Sequence, residues 1–181
     1  MPIPTRRTYE DLREMPDDGR RCELPEGDLA VSPTPKIGDQ RIVLNLTDLL
    51  RQAEKAGYGA ALPAPSDVVL AADTAVQPDL LFVARARRGI LHADNVQGPP
   101  DLVVEVLSES SRRRDLGPKL CLYARYGVGF YWAADPDEQA VRVYTRLGDG
   151  YGEPTFLRLG DSLTCPLFPT VGMAVDDVFA I

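Results

Sequence analysis

Asp101-Leu102-Val103-Val104-Glu105-Val106-Leu107-Ser108 is an apolar run with one carboxylate in its middle. Its aliphatic and β-branched residues predict a buried β-strand. A carboxylate in such surroundings loses several kcal/mol of hydration, so Glu105 must be protonated, paired with a cation or bound to a metal. Upstream, Gln77-Pro78-Asp79-Leu80-Leu81-Phe82-Val83 sets Asp79 at the head of a second apolar strand. Two strands, each carrying one acid, point to a site for a hard metal ion.

The rest of the chain supplies elements to surround these strands. Thr8-Tyr9-Glu10-Asp11-Leu12 predicts a short capped helix stopped by Pro16. Arg21 to Pro33 reads as a hairpin: Cys22-Glu23-Leu24, a Pro25-Glu26-Gly27-Asp28 turn, then Leu29-Ala30-Val31. Ile42, Leu46, Leu49, Leu50 and Ala53 mark one face of a helix from about Ile37 to just before Gly57, with Arg41, Asp48, Arg51 and Lys55 opposite. Strands are expected at Gly59–Leu62, Asp67–Ala71, Leu80–Val83 and Leu102–Leu107. A second helix is expected over Asp115 to Tyr126, capped by Asp115 and ended by Gly127. Further strands fall at Phe130–Ala134, Val141–Tyr144 and Thr155–Leu159, and a short helix at Ala174–Phe179. The order implies a mixed α/β or α+β sheet with helices packed on it.

Length and composition bound the function. With 181 residues and 44% hydrophobic content, one domain over residues 1–181 is expected. No stretch has the apolar core of a secretion signal or the length of a membrane span, so the expected location is the cytoplasm. Cys22, Cys121 and Cys165 are too few and too scattered for a disulfide framework or zinc ribbon, and mostly buried, reduced thiols are expected. His92 is the only histidine, which excludes His-metal clusters and opposes a Ser-His-Asp triad. The net charge of −7 opposes sequence-independent attraction to nucleic acid. Arginines do cluster, at Arg85/Arg87/Arg88 and Arg112-Arg113-Arg114, giving either a local positive face or solvated loops.

Chemistry therefore falls to carboxylates and a lysine. On the Asp115–Tyr126 helix, Lys119 shares a stripe with Leu122, Tyr123 and Tyr126. That stripe should face the sheet and bring Lys119 to Glu105, where charge balance favours their meeting. Asp79, Glu105 and Lys119 are the parts of a metal-assisted phosphodiester hydrolase. The two acids would hold Mg²⁺ or Mn²⁺, and the lysine would orient water or stabilise developing charge. Glu23 is a further candidate acid at the rim, and Ser108 and Ser110 are candidate donors to a phosphate. Each residue also has a structural reading: Asp79 as a turn cap, Glu105 as an ion-paired core acid, Lys119 as a snorkelling surface lysine, Glu23 as a hairpin residue and Tyr131-Trp132 as core.

The segments Glu23-Leu24-Pro25-Glu26-Gly27-Asp28-Leu29, Ser32-Pro33-Thr34-Pro35, Pro78-Asp79-Leu80, the Pro100–Ser108 run, Asp115-Leu116-Gly117-Pro118-Lys119, Tyr123, and Gly127-Val128 before Tyr131-Trp132 follow one another in a specific order. Together they resemble the Uma-type restriction endonuclease family of the PD-(D/E)XK nuclease superfamily, from about Cys22 to Val178. The resemblance implies a restriction-endonuclease-like fold, a mixed central sheet flanked by helices, with metal held by Asp79 and Glu105. The superfamily lysine lies two residues after the second acid, where this chain has Leu107. Lys119 on the following helix looks like its migrated replacement. Two other positions depart from the family pattern: Gly38-Asp39-Gln40 replaces a segment that often carries histidine, and Gly129-Phe130 one that often carries glutamate.

These readings lead to a Mg²⁺-dependent endonuclease acting on DNA, with affinity supplied by local arginines or by a protein partner, and with a homodimer suited to cutting both strands. The competing expectation is a catalytically silent binding or scaffold domain in which Glu105 and Lys119 form a retained ion pair. Hydrolysis of a smaller phosphate ester would use the same residues.

Overall fold

The computed structural model describes residues 6–16, 19–32 and 36–180. Pro33-Thr34-Pro35, with the end of the expected hairpin, and residues 1–5, 17 and 18 of the N-terminal stretch lie outside the described residues.

In chain order the elements are α1 (Tyr9–Arg13), β1 (Arg21–Glu23), β2 (Ala30–Ser32), α2 (Ile37–Lys55), β3 (Gly59–Pro63), β4 (Val68–Ala71), β5 (Thr74–Val76), β6 (Leu80–Ala84), β7 (Val96–Gln97) and β8 (Leu102–Val106). They continue with α3 (Arg112–Asp115), α4 (Pro118–Tyr126), β9 (Phe130–Asp135), β10 (Ala140–Leu147), β11 (Gly150–Tyr151), β12 (Thr155–Arg158), β13 (Ser162–Thr164), β14 (Gly172–Ala174) and α5 (Val175–Val178).

The central sheet runs β11-β10-β9-β8-β6-β3, with β12 also pairing β10. It is mixed: β8 and β9 are parallel, while β3–β6, β6–β8 and β9–β10 are antiparallel. A parallel pair needs a crossover, and here α3 and α4 supply it. One face carries the side of α2 that the sequence pattern marked: Ile42, Leu46, Leu49, Leu50 and Ala53 pack with Leu80, Phe82, Val104, Val106 and Trp132. Each fully buried leucine there contributes about 1.5–3 kcal/mol of transfer free energy. Gly57, with φ of 85°, ends α2 in the left-handed conformation expected of a C-terminal cap.

The other face receives α4, whose Leu122 and Tyr123 pack with Leu81, Val83, Val103 and Tyr131. Alternation along β8 thus sends Leu102, Val104 and Val106 toward α2, and Val103 and Glu105 toward α4. The same parity puts Asp79, which precedes Leu80, on the α4 side.

Three expectations are corrected. Asp115 does not cap a helix running to Tyr126. It ends the separate one-turn α3, and α4 restarts at Pro118 after Gly117. Gly117 approaches so closely that a Cβ there would lie 2.8 Å from the Arg113 carbonyl oxygen. The thiols are not mostly buried, because Cys121 is exposed, Cys22 is half-buried and only Cys165 is buried. The strands β5, β7, β11, β13 and β14 add to those expected; each has only two or three residues, too few to show a period. Among the described residues no helix is long and apolar enough to cross a membrane.

Candidate active site

Four elements converge on the α4 face of the sheet. In the β6–β8 ladder Leu80 stands opposite Val104, so the next antiparallel step sets Asp79 opposite Glu105. The Asp79 carboxylate accepts the Val106 backbone N–H through Oδ2 at 2.8 Å and the Arg21 guanidinium through Oδ1 at 2.7 Å. Arg21 and Glu23 are two residues apart on β1 and so point the same way. Two backbone hydrogen bonds between Leu24 and Ala75, at 2.7 and 3.0 Å, tie β1 to β5. The Gln77 N–H then donates to Glu23 Oε1 at 2.7 Å. Glu23 is therefore only 2% exposed: it lies inside the site, not at the rim as expected.

The break at Gly117 and the proline start of α4 aim Lys119 inward from the first turn, where it is 5% exposed. Its ammonium lies 2.8 Å from Glu23 Oε1 and 2.8 Å from Glu105 Oε1. The stripe argument is met for Lys119, Leu122 and Tyr123, while Tyr126 is half-buried. Tyr123 donates its hydroxyl to Glu105 Oε1 at 3.1 Å. Arg114 stands between Glu23, at 3.9 Å, and Asp115, at 3.2 Å, and reaches the Ser32 hydroxyl at 3.3 Å. The structure thus brings Glu23, Asp79, Glu105 and Lys119 into one cluster.

The electrostatics follow from burial and charge. Burial pushes Glu105 up to about 8; Lys119 opposes the rise, and Asp79, Asp115 and Glu23 add to it. Burial would also raise Glu23, but Lys119, directly and by hydrogen bond, and the Gln77 amide outweigh it and hold the carboxyl low. Burial works to deprotonate Lys119, yet Glu105, Glu23 and Asp115 raise its pKa, so it is an ammonium at neutral pH. Arg21 likewise stays charged: burial is outweighed by Asp79 and Glu105.

The cluster opens on a cleft of about 200 Å³ lined by Glu105, Arg21, Arg114, Lys36, Ser108 and Ser110 among others. The hydroxyls of Ser108 and Ser110 lie 3.2 Å apart at its wall. Among the described residues no group of three or more His, Cys, Asp or Glu is arranged to hold a metal ion. Two opposed carboxylates beside an open cleft nevertheless suit Mg²⁺, which takes one or two protein carboxylates and fills its octahedron with water and phosphate oxygens. The fit requires Asp79 to exchange Arg21 for the ion.

The arginine clusters are partly structural. Arg112 pairs with Asp135 and Asp137, Arg87 with Asp101, and Arg88 donates to the Gly59 carbonyl. Arg85 and Arg113 remain exposed. His92 lines a different cleft of about 330 Å³, with Asp67, Gln77 and Asn95. Sequence reasoning missed Arg21 and the role of Arg114. The alternation of Arg21 with Glu23 on one strand face was the available signal for the first.

Comparison with known proteins bears on the family and the fold. A family model, Uma2, described as "Putative restriction endonuclease", matches residues 9–176. Among curated proteins none matches. Among solved structures, a crystal structure titled as "a putative nuclease belonging to DUF820" from Anabaena variabilis superposes with a TM-score of 0.79 at 19% identity, over 96% of this chain and 97% of that one. The likeness extends the expectation of a mixed sheet flanked by helices to the whole fold. Because the family match spans nearly the entire chain, including every element that builds the acidic cluster, this protein belongs to the Uma2 family.

Proposed function

We propose that the protein is a Mg²⁺- or Mn²⁺-dependent endonuclease that hydrolyses phosphodiester bonds in DNA. Asp79 and Glu105 are the metal ligands in this reading, and Lys119 and Glu23 complete the catalytic set. The observation that supports it best is the Lys119 ammonium, 2.8 Å from a carboxylate that itself opens on the cleft. A bound divalent ion would polarise a phosphate oxygen and lower the pKa of a coordinated water. Lys119, being protonated, is suited to stabilise charge on the phosphorane-like transition state and not to abstract a proton. Glu23 fixes that ammonium in place. Ser108, Ser110 and Arg114 line the cleft as donors to a phosphodiester.

A second reading is a silent binding domain, favoured by one observation: each carboxylate of the cluster already has a cation, Asp79 with Arg21 and Glu105 with Lys119. The thermal midpoint of the wild type and of Asp79→Ala, measured with and without Mn²⁺ and paired with plasmid nicking, separates the two. A Mn²⁺-induced rise lost in the variant, with nicking in the wild type alone, supports the nuclease. No rise in the wild type favours the silent domain.

A further inference from the structure

Arg21 has a guanidinium with one end engaged and the other without a partner. Its Nη1 donates to Asp79 Oδ1 at 2.7 Å, while its Nε is buried and has no hydrogen-bond partner among the described residues. A buried donor left unpaired is costly, and it marks a side chain positioned for more than the contact it makes. Arg21 also lines the cleft beside Ser108, Ser110 and Arg114, so it borders both the acid pair and the space a substrate would enter.

We propose that Arg21 is a latch on Asp79 that a divalent cation displaces, and that the freed guanidinium then binds the scissile phosphate in the cleft. This rests on the nuclease reading of the same site. The argument is one of charge and room. Without an ion, Lys119 pairs with Glu105 but not with Asp79 across the ladder, and Arg21 supplies the positive charge to Asp79. Were Asp79 and Glu105 to hold a divalent ion, Arg21 would no longer be needed as counter-ion and, being charged at every accessible pH, would be repelled from Asp79. The cleft leaves the side chain somewhere to go, and a phosphodiester there offers two oxygens to the planar fork of donors, which a lone carboxylate contact at Nη1 does not satisfy. One arginine therefore serves in turn as counter-ion of the empty site and as ligand of the substrate. Cation binding and phosphate binding become positively coupled, each favouring the arrangement the other needs.

The test uses Arg21→Gln and Arg21→Lys in the full chain, with metal-free thermal midpoints to establish that each is folded. Mn²⁺ is titrated while the midpoint is followed. Binding of a short fluorescein-labelled DNA duplex is measured by anisotropy in Ca²⁺, a hard cation with the same preference for oxygen ligands. Removing the latch should let Arg21→Gln reach its Mn²⁺-stabilised state at about tenfold lower Mn²⁺ than the wild type, while duplex binding in Ca²⁺ weakens by about tenfold. Arg21→Lys, which keeps the charge but loses the fork, should stay close to the wild type for Mn²⁺ and still bind the duplex more weakly. Equal Mn²⁺ midpoints in wild type and Arg21→Gln overturn the latch while leaving the metal site standing. Tighter Mn²⁺ binding with unchanged duplex binding overturns the transfer to phosphate. No Mn²⁺ response in any of the three proteins removes the metal reading and the latch with it.

Discussion

The ammonium of Lys119 lies 2.8 Å from Glu105 Oε1 and, on its other side, 2.8 Å from Glu23 Oε1, so one cation from α4 joins two acids from different strands. All three side chains are almost fully buried. Removing the lysine strands the buried, ionised Glu23 carboxylate, which is far costlier than losing a surface pair. Lys119→Ala should therefore lower unfolding free energy by about 3–5 kcal/mol in urea titrations. Adding Glu23→Gln to it should recover part of the loss, because the acid that Lys119 holds ionised is then no longer a stranded charge.

In the functional reading the same lysine stabilises charge during turnover and does not ligate the ion. Lys119→Ala should then lower kcat for nicking by more than it weakens Mn²⁺ binding, measured at a temperature where the variant is folded. Equal losses in the two quantities would count against the assigned role.

Glu105 makes the metal-free protein sensitive to pH. Its folded pKa is raised from 4.5 to about 8, so the folded state retains a proton that the unfolded state loses within that window. Stability from this group is fully present below pH 4.5 and declines as pH rises toward 8, by at most about 1.4 kcal/mol per pH unit. The depressed carboxyls Glu23 and Asp135 act below this window and the raised Lys119 above it. The thermal midpoint without metal should fall between pH 5 and 8, and Glu105→Gln should flatten that slope. A slope of the same size in Glu105→Gln would show that another group causes it.

Much of this was legible in the residues, for identifiable reasons. The 3.6-residue spacing of Ile42, Leu46, Leu49, Leu50 and Ala53 fixed both the helix and its buried face, since few other structures satisfy that period. Glu105 announced a cluster because its apolar neighbours could not neutralise it. Arg21 and Arg114 were harder to find: an arginine reaches its partner through a long side chain, and which acid it meets depends on the packing of β1 against β5 and on the short α3. The division of the expected Asp115–Tyr126 helix was hidden because Asp115 and Pro118 are both ordinary helix-start residues. The structure uses only Pro118 to start α4, and Asp115 to face Arg114.

Gly117 allows that division. A Cβ there would press to within 2.8 Å of the Arg113 carbonyl oxygen, and the turn between α3 and α4 would have to open. Because Lys119 lies two residues on, Gly117→Ala should disturb the Lys119 contacts without altering any charged group. The expected result is a loss of about 1–3 kcal/mol in stability together with reduced nicking. Unchanged values of both would show that the turn yields freely.

Asp135 provides the contrast between a structural ion pair and the candidate site. It is fully buried at the end of β9, where Arg112 grips both its carboxylate oxygens and Arg142 stands 3.4 Å away. Its Oδ1 also accepts the N–H groups of Asp137 and Glu138, closing the β9–β10 turn. Burial would raise this carboxyl, but the Arg112 hydrogen bond and the turn amides hold it below the usual value. Its contribution is therefore present at neutral pH and lost as pH falls through the lowered pKa. No described contact joins it to the acid cluster. Asp135→Ala removes these hydrogen bonds while the partly exposed Arg112 keeps Asp137, and should cost about 1–3 kcal/mol at pH 7, with the difference from wild type shrinking in acid. The Mn²⁺-induced rise in midpoint should survive in this variant, measured relative to its own metal-free value. Loss of that rise would mean that the two charge clusters are coupled through α3 and that Arg112 belongs to the site after all.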